Sequence, residues 1–204
     1  MDAIKLLQER RSVNYFDKNR TISEEQINDI LEAANFTPSS FNLQPWEVIV
    51  ASSPEKKKLL REGAMNQIKV EEASAVFIII ADPYAVEENI EAVLNRQVEL
   101  GYMKEDKKEH TKNIPPKLYG EKDSEQRRIF AIKNTSFFAM SIMVAAKALG
   151  FETHPMDGID PDKIKTDFQI APHKAIPLIL AVGYKNEENE WLPRAYRREL
   201  ADFV

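Results

Sequence analysis

Polar and apolar residues along the chain repeat with two periods, one helical and one of strands. Residues 2–9 set Ile4, Leu6 and Leu7 among polar groups, which suits a short helix. Ser23-Glu24-Glu25-Gln26 has the form of a capping box, in which the fourth residue reaches back to the cap. Ile27, Ile30, Leu31 and Ala34 follow at helical spacing and predict a second helix that Pro38 ends. Residues 38–45, bounded by two prolines, read as loop. Residues 47–51 read as a short strand, and Pro54 opens an amphipathic helix carrying Leu59 and Leu60. Residues 75–81, AVFIIIA, form an unbroken apolar run rich in β-branched side chains. Such a run predicts a strand buried on both faces.

Residues 82–125 differ in character. They are rich in Glu and Lys, with Pro115 and Pro116 in their midst, and predict a helical excursion plus a mobile loop within one domain of residues 1–204. Residues 124–149 then predict a long helix. Its second half, FFAMSIMVAAKAL, is apolar nearly all round, so it must be buried on more than one side, as a core helix or at a subunit interface. Gly150 is a helix stop. Residues 151–154 suit a short strand, Asp160-Pro161 a helix cap with proline in the first turn, and residues 176–182 another buried strand. Helices and strands mix without regular βαβ alternation, so the class is α+β.

Composition narrows the chemistry. The 204 residues suffice for one large domain with a real core. The formal net charge of −5 argues against nucleic acid as a partner. With no cysteine, disulfides, thiolate metal sites and Cys nucleophiles are excluded. His110, His154 and His173 are scattered, each reads as a surface or packing residue, and no metal is assigned. Neither G-x-G-x-x-G nor G-x-x-x-x-G-K-[ST] occurs, so a bound nucleotide would depend on side chains to hold its phosphate. The first residues lack the apolar run of a signal peptide, and uninterrupted apolar runs are too short to span a bilayer. A cytoplasmic location without membrane contact is the expectation.

Five segments carry candidate chemistry. Arg10-Arg11-Ser12-Val13-Asn14-Tyr15-Phe16 offers two guanidinium forks and a hydroxyl, donors that match phosphate oxygens. Pro38-Ser39-Ser40-Phe41-Asn42-Leu43-Gln44-Pro45-Trp46 is a stiffened loop whose small polar residues let backbone approach a flat ligand. Asn66 and Lys69 share one face of a helical turn. Pro155-Met156-Asp157-Gly158 ends a strand with a glycine that permits a sharp turn. Leu192-Pro193-Arg194-Ala195-Tyr196-Arg197-Arg198 sets three arginines near the end of an acidic chain. Taken singly, each has a plainer reading: a solvated basic helix end, a polar turn, a surface pair, a strand-to-helix turn, a solvated tail.

In this order and at these separations, the five segments resemble the nitroreductase family of FMN-dependent oxidoreductases over nearly the whole chain. The resemblance implies an α+β fold with a central, mostly antiparallel sheet flanked by helices, in an intertwined homodimer with two FMN sites at its interface. Arg10 and Ser12 would meet the phosphate end, with Arg11 and Asn14 in the same segment. Ser39, Ser40 and Asn42 would reach over from the other subunit. Asn66 and Lys69 would address the flavin pyrimidine, the backbone of Met156, Asp157 and Gly158 would donate toward N5, and Arg194 and Arg197 would close on the phosphate, with Arg198 as the neighbouring alternative to Arg197. NADH or NADPH would deliver two electrons, by a ping-pong scheme, to a small aromatic acceptor such as a quinone or nitroaromatic. The chemistry would lie on the flavin, with no protein acid, base or nucleophile, and residues 85–125 would form part of a lid. Dehalogenation, desaturation and non-catalytic flavin sensing are alternatives on the same fold. Many members carry a basic residue where this chain has Asn14 and a glutamate where it has Asp157, which bears on the redox potential.

Overall fold

The computed structural model describes residues 2–204. Helices α1 (Ala3–Glu9) and α2 (Glu24–Ala34) precede strand β1 (Trp46–Ala51); α3 (Pro54–Gly63) and α4 (Lys69–Glu72) lead to β2 (Ala75–Ala81). Helices α5 (Ala85–Glu99), α6 (Lys108–Lys112) and α7 (Ile114–Tyr119) form the excursion, and α8 (Glu125–Ala148) follows it. β3 (Glu152–Met156), α9 (Pro161–Asp167) and β4 (Ala175–Gly183) complete the domain. The α+β reading holds, with every paired strand antiparallel and the sheet order β1-β2-β4-β3.

β2 and β4 lie at the centre, and every residue of β2 is buried. Ala75, Phe77 and Ile79 of β2, with Leu180 and Val182 of β4, face one layer, where α2 contributes Ile27 and Ile30 and α8 contributes Phe138, Ala139, Ile142 and Ala146. Val76, Ile78 and Ile80, with Ile179 and Ala181, face the other, built from Leu60 of α3, Val70 of α4 and Ile164 of α9. Period-two alternation therefore produces two cores rather than one core and one wet face. The capping box of α2 is formed in full: Gln26 N–H donates to the Ser23 hydroxyl and Ser23 N–H donates to Gln26 Oε1.

α8 is 24 residues long because both ends are closed off. The Ser124 hydroxyl accepts from Arg127 N–H at 3.2 Å. At the other end Gly150 turns the chain at φ +88°, and Phe151 N–H returns to Ala146 O at 2.8 Å. By length and composition α8 is apolar enough to cross a membrane, although its polar residues interrupt every apolar run; half of that stretch is buried within the fold. Its outer face leaves Ile129 and Phe137 about half exposed, with Met140 beside them.

The excursion differs from expectation, since it folds as three helices rather than as a helix with a mobile loop. Charge pairing explains this. Arg127, buried in α8, donates to both Glu87 carboxylate oxygens of α5 at 2.7 and 2.9 Å and to Gly120 O after α7 at 2.7 Å. Glu91 of α5 pairs with Lys108 at 2.6 Å and Lys112 at 2.8 Å on α6, and these hydrogen bonds hold its pKa down to about 2.

Candidate functional site

The sheet brings four of the five segments to one edge. Residues 10–17 run beside β3 and the exit of β4: Ser12 bridges Thr153, Val13 N–H donates to Thr153 O at 3.1 Å, and Phe16 bridges Lys185. β3 extends two residues beyond the predicted 151–154, and this extension delivers Met156, Asp157 and Gly158 to the same edge. The turn after α3 comes to meet them. Met65 and Asn66 both adopt left-handed backbone, φ +51° and +57°, and Gln67 Nε2 then donates to Gly158 O at 3.0 Å. The approach is close enough that a Cβ on Gly158 would lie 3.3 Å from Gln67 Nε2. Lys69 closes the ring by donating to Asn14 Oδ1 at 3.1 Å.

Three guanidinium groups gather at one end of this edge. Arg10, half-buried at the end of α1, has its pKa lowered first by burial, then by the positive charges of Arg194 and Arg197, with Glu152 opposing. Its Nη1 is buried without a hydrogen-bond partner among the described residues. A buried cationic donor left unpaired beside two like charges is unfavourable, and an anion would satisfy it. Arg194 is held in place by donating to Gln8 O. Arg198 turns instead toward the Phe203 ring, 5.6 Å from its centroid. Arg11 is committed elsewhere: it donates to Leu192 O at 2.7 Å and lies over the Trp191 ring, fastening the tail to residues 10–14.

In sequence His154 reads as a surface or packing residue, and the structure adds specific polar contacts to that reading. It sits half-buried within the candidate site, Nδ1 2.7 Å from Val13 O and Nε2 3.3 Å from Lys69 Nζ. Burial first, then the Lys69 charge, lowers its pKa, against a smaller opposing effect of the Val13 contact. Burial also lowers the pKa of Lys69. Gln67, likewise unmarked in the sequence, links the turn to the strand end. No local pattern signals either residue, because their partners are remote along the chain.

The fifth segment is not brought to this edge. Residues 38–45 enter β1, on the far side of the sheet, where Trp46 pairs with Ala81 at the end of β2. Within it Phe41, Asn42 and Gln44 hold left-handed backbone at φ +55°, +55° and +46°, an unfavourable run for residues with a Cβ. The surroundings fix it. Ser40 N–H donates to Asn134 Oδ1 at 3.0 Å, the Ser40 and Tyr119 hydroxyls are bonded, and Asn89 donates to Leu43 O at 2.8 Å. The Ser39 hydroxyl accepts from Gln44 N–H at 2.9 Å. Asn42 is exposed at the tip.

Comparison with known proteins identifies the family. The sequence profile described as Nitroreductase family matches residues 7–184. This chain belongs to the nitroreductase family. Among its relatives, a Bacillus subtilis protein named as an NAD(P)H nitroreductase, MhqN, is 29% identical over 199 residues, covering 98% of this chain and 96% of its own length. The NADH dehydrogenase of Thermus thermophilus is 30% identical and covers 92% of this chain and 89% of its own. A crystal structure from Exiguobacterium sibiricum, named as a nitroreductase in complex with FMN, superposes with TM-score 0.88 at 26% identity, covering all of this chain and 96% of that one. The nitroreductase-family fold thus spans the whole chain, excursion included.

The anchoring of the strained loop in this nitroreductase-family chain is open to a direct test. Asn134 is buried, and its amide bridges Ser40 N–H and Phe130 O. Asn134→Ala leaves Ser40 N–H without its acceptor and should destabilise the fold by about 1–3 kcal/mol in chemical denaturation. Amide exchange at Ser40 should accelerate together with that at Leu43; unchanged exchange at both would show that Asn134 does not hold the loop.

Proposed function

We propose that this nitroreductase-family chain is an FMN-dependent NAD(P)H oxidoreductase that passes two electrons to a small aromatic acceptor, a quinone or nitroaromatic. The observation that carries the reading is the buried, unpartnered Nη1 of Arg10 set beside the charges of Arg194 and Arg197, at one end of an edge that also gathers Lys69 and Gly158. The relatives named for NAD(P)H and NADH, and the neighbour solved with FMN, support the same cofactors.

The residues present suit this cofactor. Arg10, Arg194 and Arg197, with the Ser12 hydroxyl, supply charge-assisted donors for its phosphate. Arg11 holds the tail against residues 10–14 so that those arginines converge. Asn66, exposed on a left-handed turn, and Lys69 offer an amide and an ammonium to a pyrimidine edge. The ammonium stabilises negative charge there, and Asn14 orients it. β3 ends at Met156, and the backbone of Met156, Asp157 and Gly158 offers donors beside the same edge. When bound, FMN supplies the redox chemistry that the protein side chains lack, accepting electrons from a reduced nicotinamide and giving them up again.

The site of one chain is incomplete without Ser39, Ser40 and Asn42, which lie at the other side of the sheet. A second copy supplies them. The apolar outer face of α8, with Ile129, Phe137 and Met140 exposed, favours such a homodimer, since obligate interfaces are large and apolar. The excursion of α5 to α7, which carries Tyr119 against Ser40, forms part of the lid over the site.

The deciding experiment is anaerobic. Purified protein should be yellow, bleach with NADH or NADPH under nitrogen, and recolour with benzoquinone. A colourless preparation, or a yellow one that neither nicotinamide bleaches, would overturn the reading.

Further outcomes are expected. Arg10→Ala should purify pale and regain activity with excess FMN, because losing one charge-assisted partner costs roughly 1.5–3 kcal/mol, about ten- to a hundredfold in affinity. Arg197→Ala should behave alike and Arg198→Ala should keep its colour through dialysis. Initial rates with NAD(P)H and a quinone should give parallel double-reciprocal lines, and intersecting lines would mean that both substrates bind together. Light scattering at low micromolar concentration should find a dimer; a monomer retaining its flavin would contradict the shared site.

A further inference from the structure

We propose that His154 is a positioning residue for Lys69: a neutral imidazole, protonated on Nδ1, that accepts one ammonium proton on Nε2 and fixes where the Lys69 cation points. The geometry dictates the tautomer. A carbonyl oxygen only accepts, so the 2.7 Å contact between Nδ1 and Val13 O requires the proton on Nδ1. In the neutral ring Nε2 then carries a lone pair, and Lys69 Nζ, 3.3 Å away, has protons to give it. Asn14 Oδ1 takes a second proton at 3.1 Å. Two of the three ammonium protons are thus committed to residues on β3 and on the segment beside it, which leaves one for a ligand. The contact between His154 and Lys69 stands on the structure alone; its consequence for a flavin rests on the function proposed above.

The arrangement fails if the ring is charged. A second proton, on Nε2, would set a donor against the Lys69 donor and a positive charge against a positive charge. The charged group facing His154 is Lys69 itself, from α4. Val13 O on the adjoining segment and Ala181 across the strand pair on β4 are neutral, as is Asn14, which meets the same Lys69 ammonium. On β3, Glu152 is engaged with Lys147 at 2.5 Å. Burial and the Lys69 charge both hold the ring neutral at pH 7. Acidification through its pKa breaks the link, and the cation loses its fixed position.

Two measurements on the purified protein decide this. The first is imidazole nitrogen NMR from pH 5 to 8, with His154→Gln used to assign the His154 signals. The Nδ1-protonated neutral tautomer is expected at pH 7, and Lys69→Gln should move the His154 titration to higher pH by removing the facing charge. An Nε2-protonated ring, or a titration that Lys69→Gln leaves in place, would overturn the contact. The second is the flavin midpoint potential over the same range. The wild type should show a change of slope at the His154 titration. His154→Gln, whose amide oxygen can accept from Lys69 but does not titrate, should show none and should match the wild type at pH 8. His154→Phe, with no acceptor, should shift the potential in the same direction as Lys69→Gln. Coincident curves for wild type, His154→Gln and His154→Phe would show that the ring does not act through Lys69. A colourless preparation would fail the flavin reading itself, and the NMR result would then stand as the test of the contact.

Discussion

The burial of β2 on both faces is the constraint on which the rest of the molecule depends. A strand reading AVFIIIA has no side that can face water, so it takes a partner strand on each edge and a helical layer on each face. β4 satisfies one edge and β1 the other. Polar groups have no place at the centre of such a sheet. They are driven to its outer edge and its corners, where β3 borders residues 10–17 and where the loop before β1 meets the end of β2. The position of the candidate site is in this sense a by-product of how the apolar residues are distributed.

Much of this is legible in the sequence. The run 75–81, the capping box at Ser23 and the helix stop at Gly150 are local patterns with local causes, and each predicted element is present. The all-round apolar helix signals a need for cover on more than one side. One side is the sheet and α2, and the outer face remains apolar and exposed. The excursion is less legible, because its order comes from ion pairs such as Arg127 with Glu87, which lie 40 residues apart. Composition rich in Glu and Lys looks the same whether the charges pair or face solvent.

The site divides along the same line. Residue types and order are enough to single out Arg10, Lys69, Gly158 and the tail arginines. His154 is not visible in this way, since its partners Val13 and Lys69 are 141 and 85 positions away. Asn14 illustrates the same limit. As a sequence feature it is a missing cation; in the structure its amide oxygen holds the cation that is there. Similarly, nothing local foretells that Phe41, Asn42 and Gln44 take up left-handed backbone without glycine. That conformation is imposed from outside by Asn134, Tyr119 and Asn89.

The sheet order also sets the course of folding. Ile78 of β2 pairs with Ile179 of β4, about a hundred residues later in the chain. Closing so long a loop adds little free energy over closing a shorter one, but it delays the contact. β1 and β2 are joined through only two short helices and can meet early. Until β4 arrives, the most apolar strand in the protein carries an open edge, the kind of surface on which nascent chains stick to one another. Glu71 and Glu72, two residues short of its start, and Asp82 immediately after its end place negative charge at both ends of that run. Asp82 is buried in the finished fold and paired with Lys174 at 3.1 Å. A carboxylate that ends as an ion pair thus borders the open edge until the strand is covered, where like charges on two chains oppose edge-to-edge pairing.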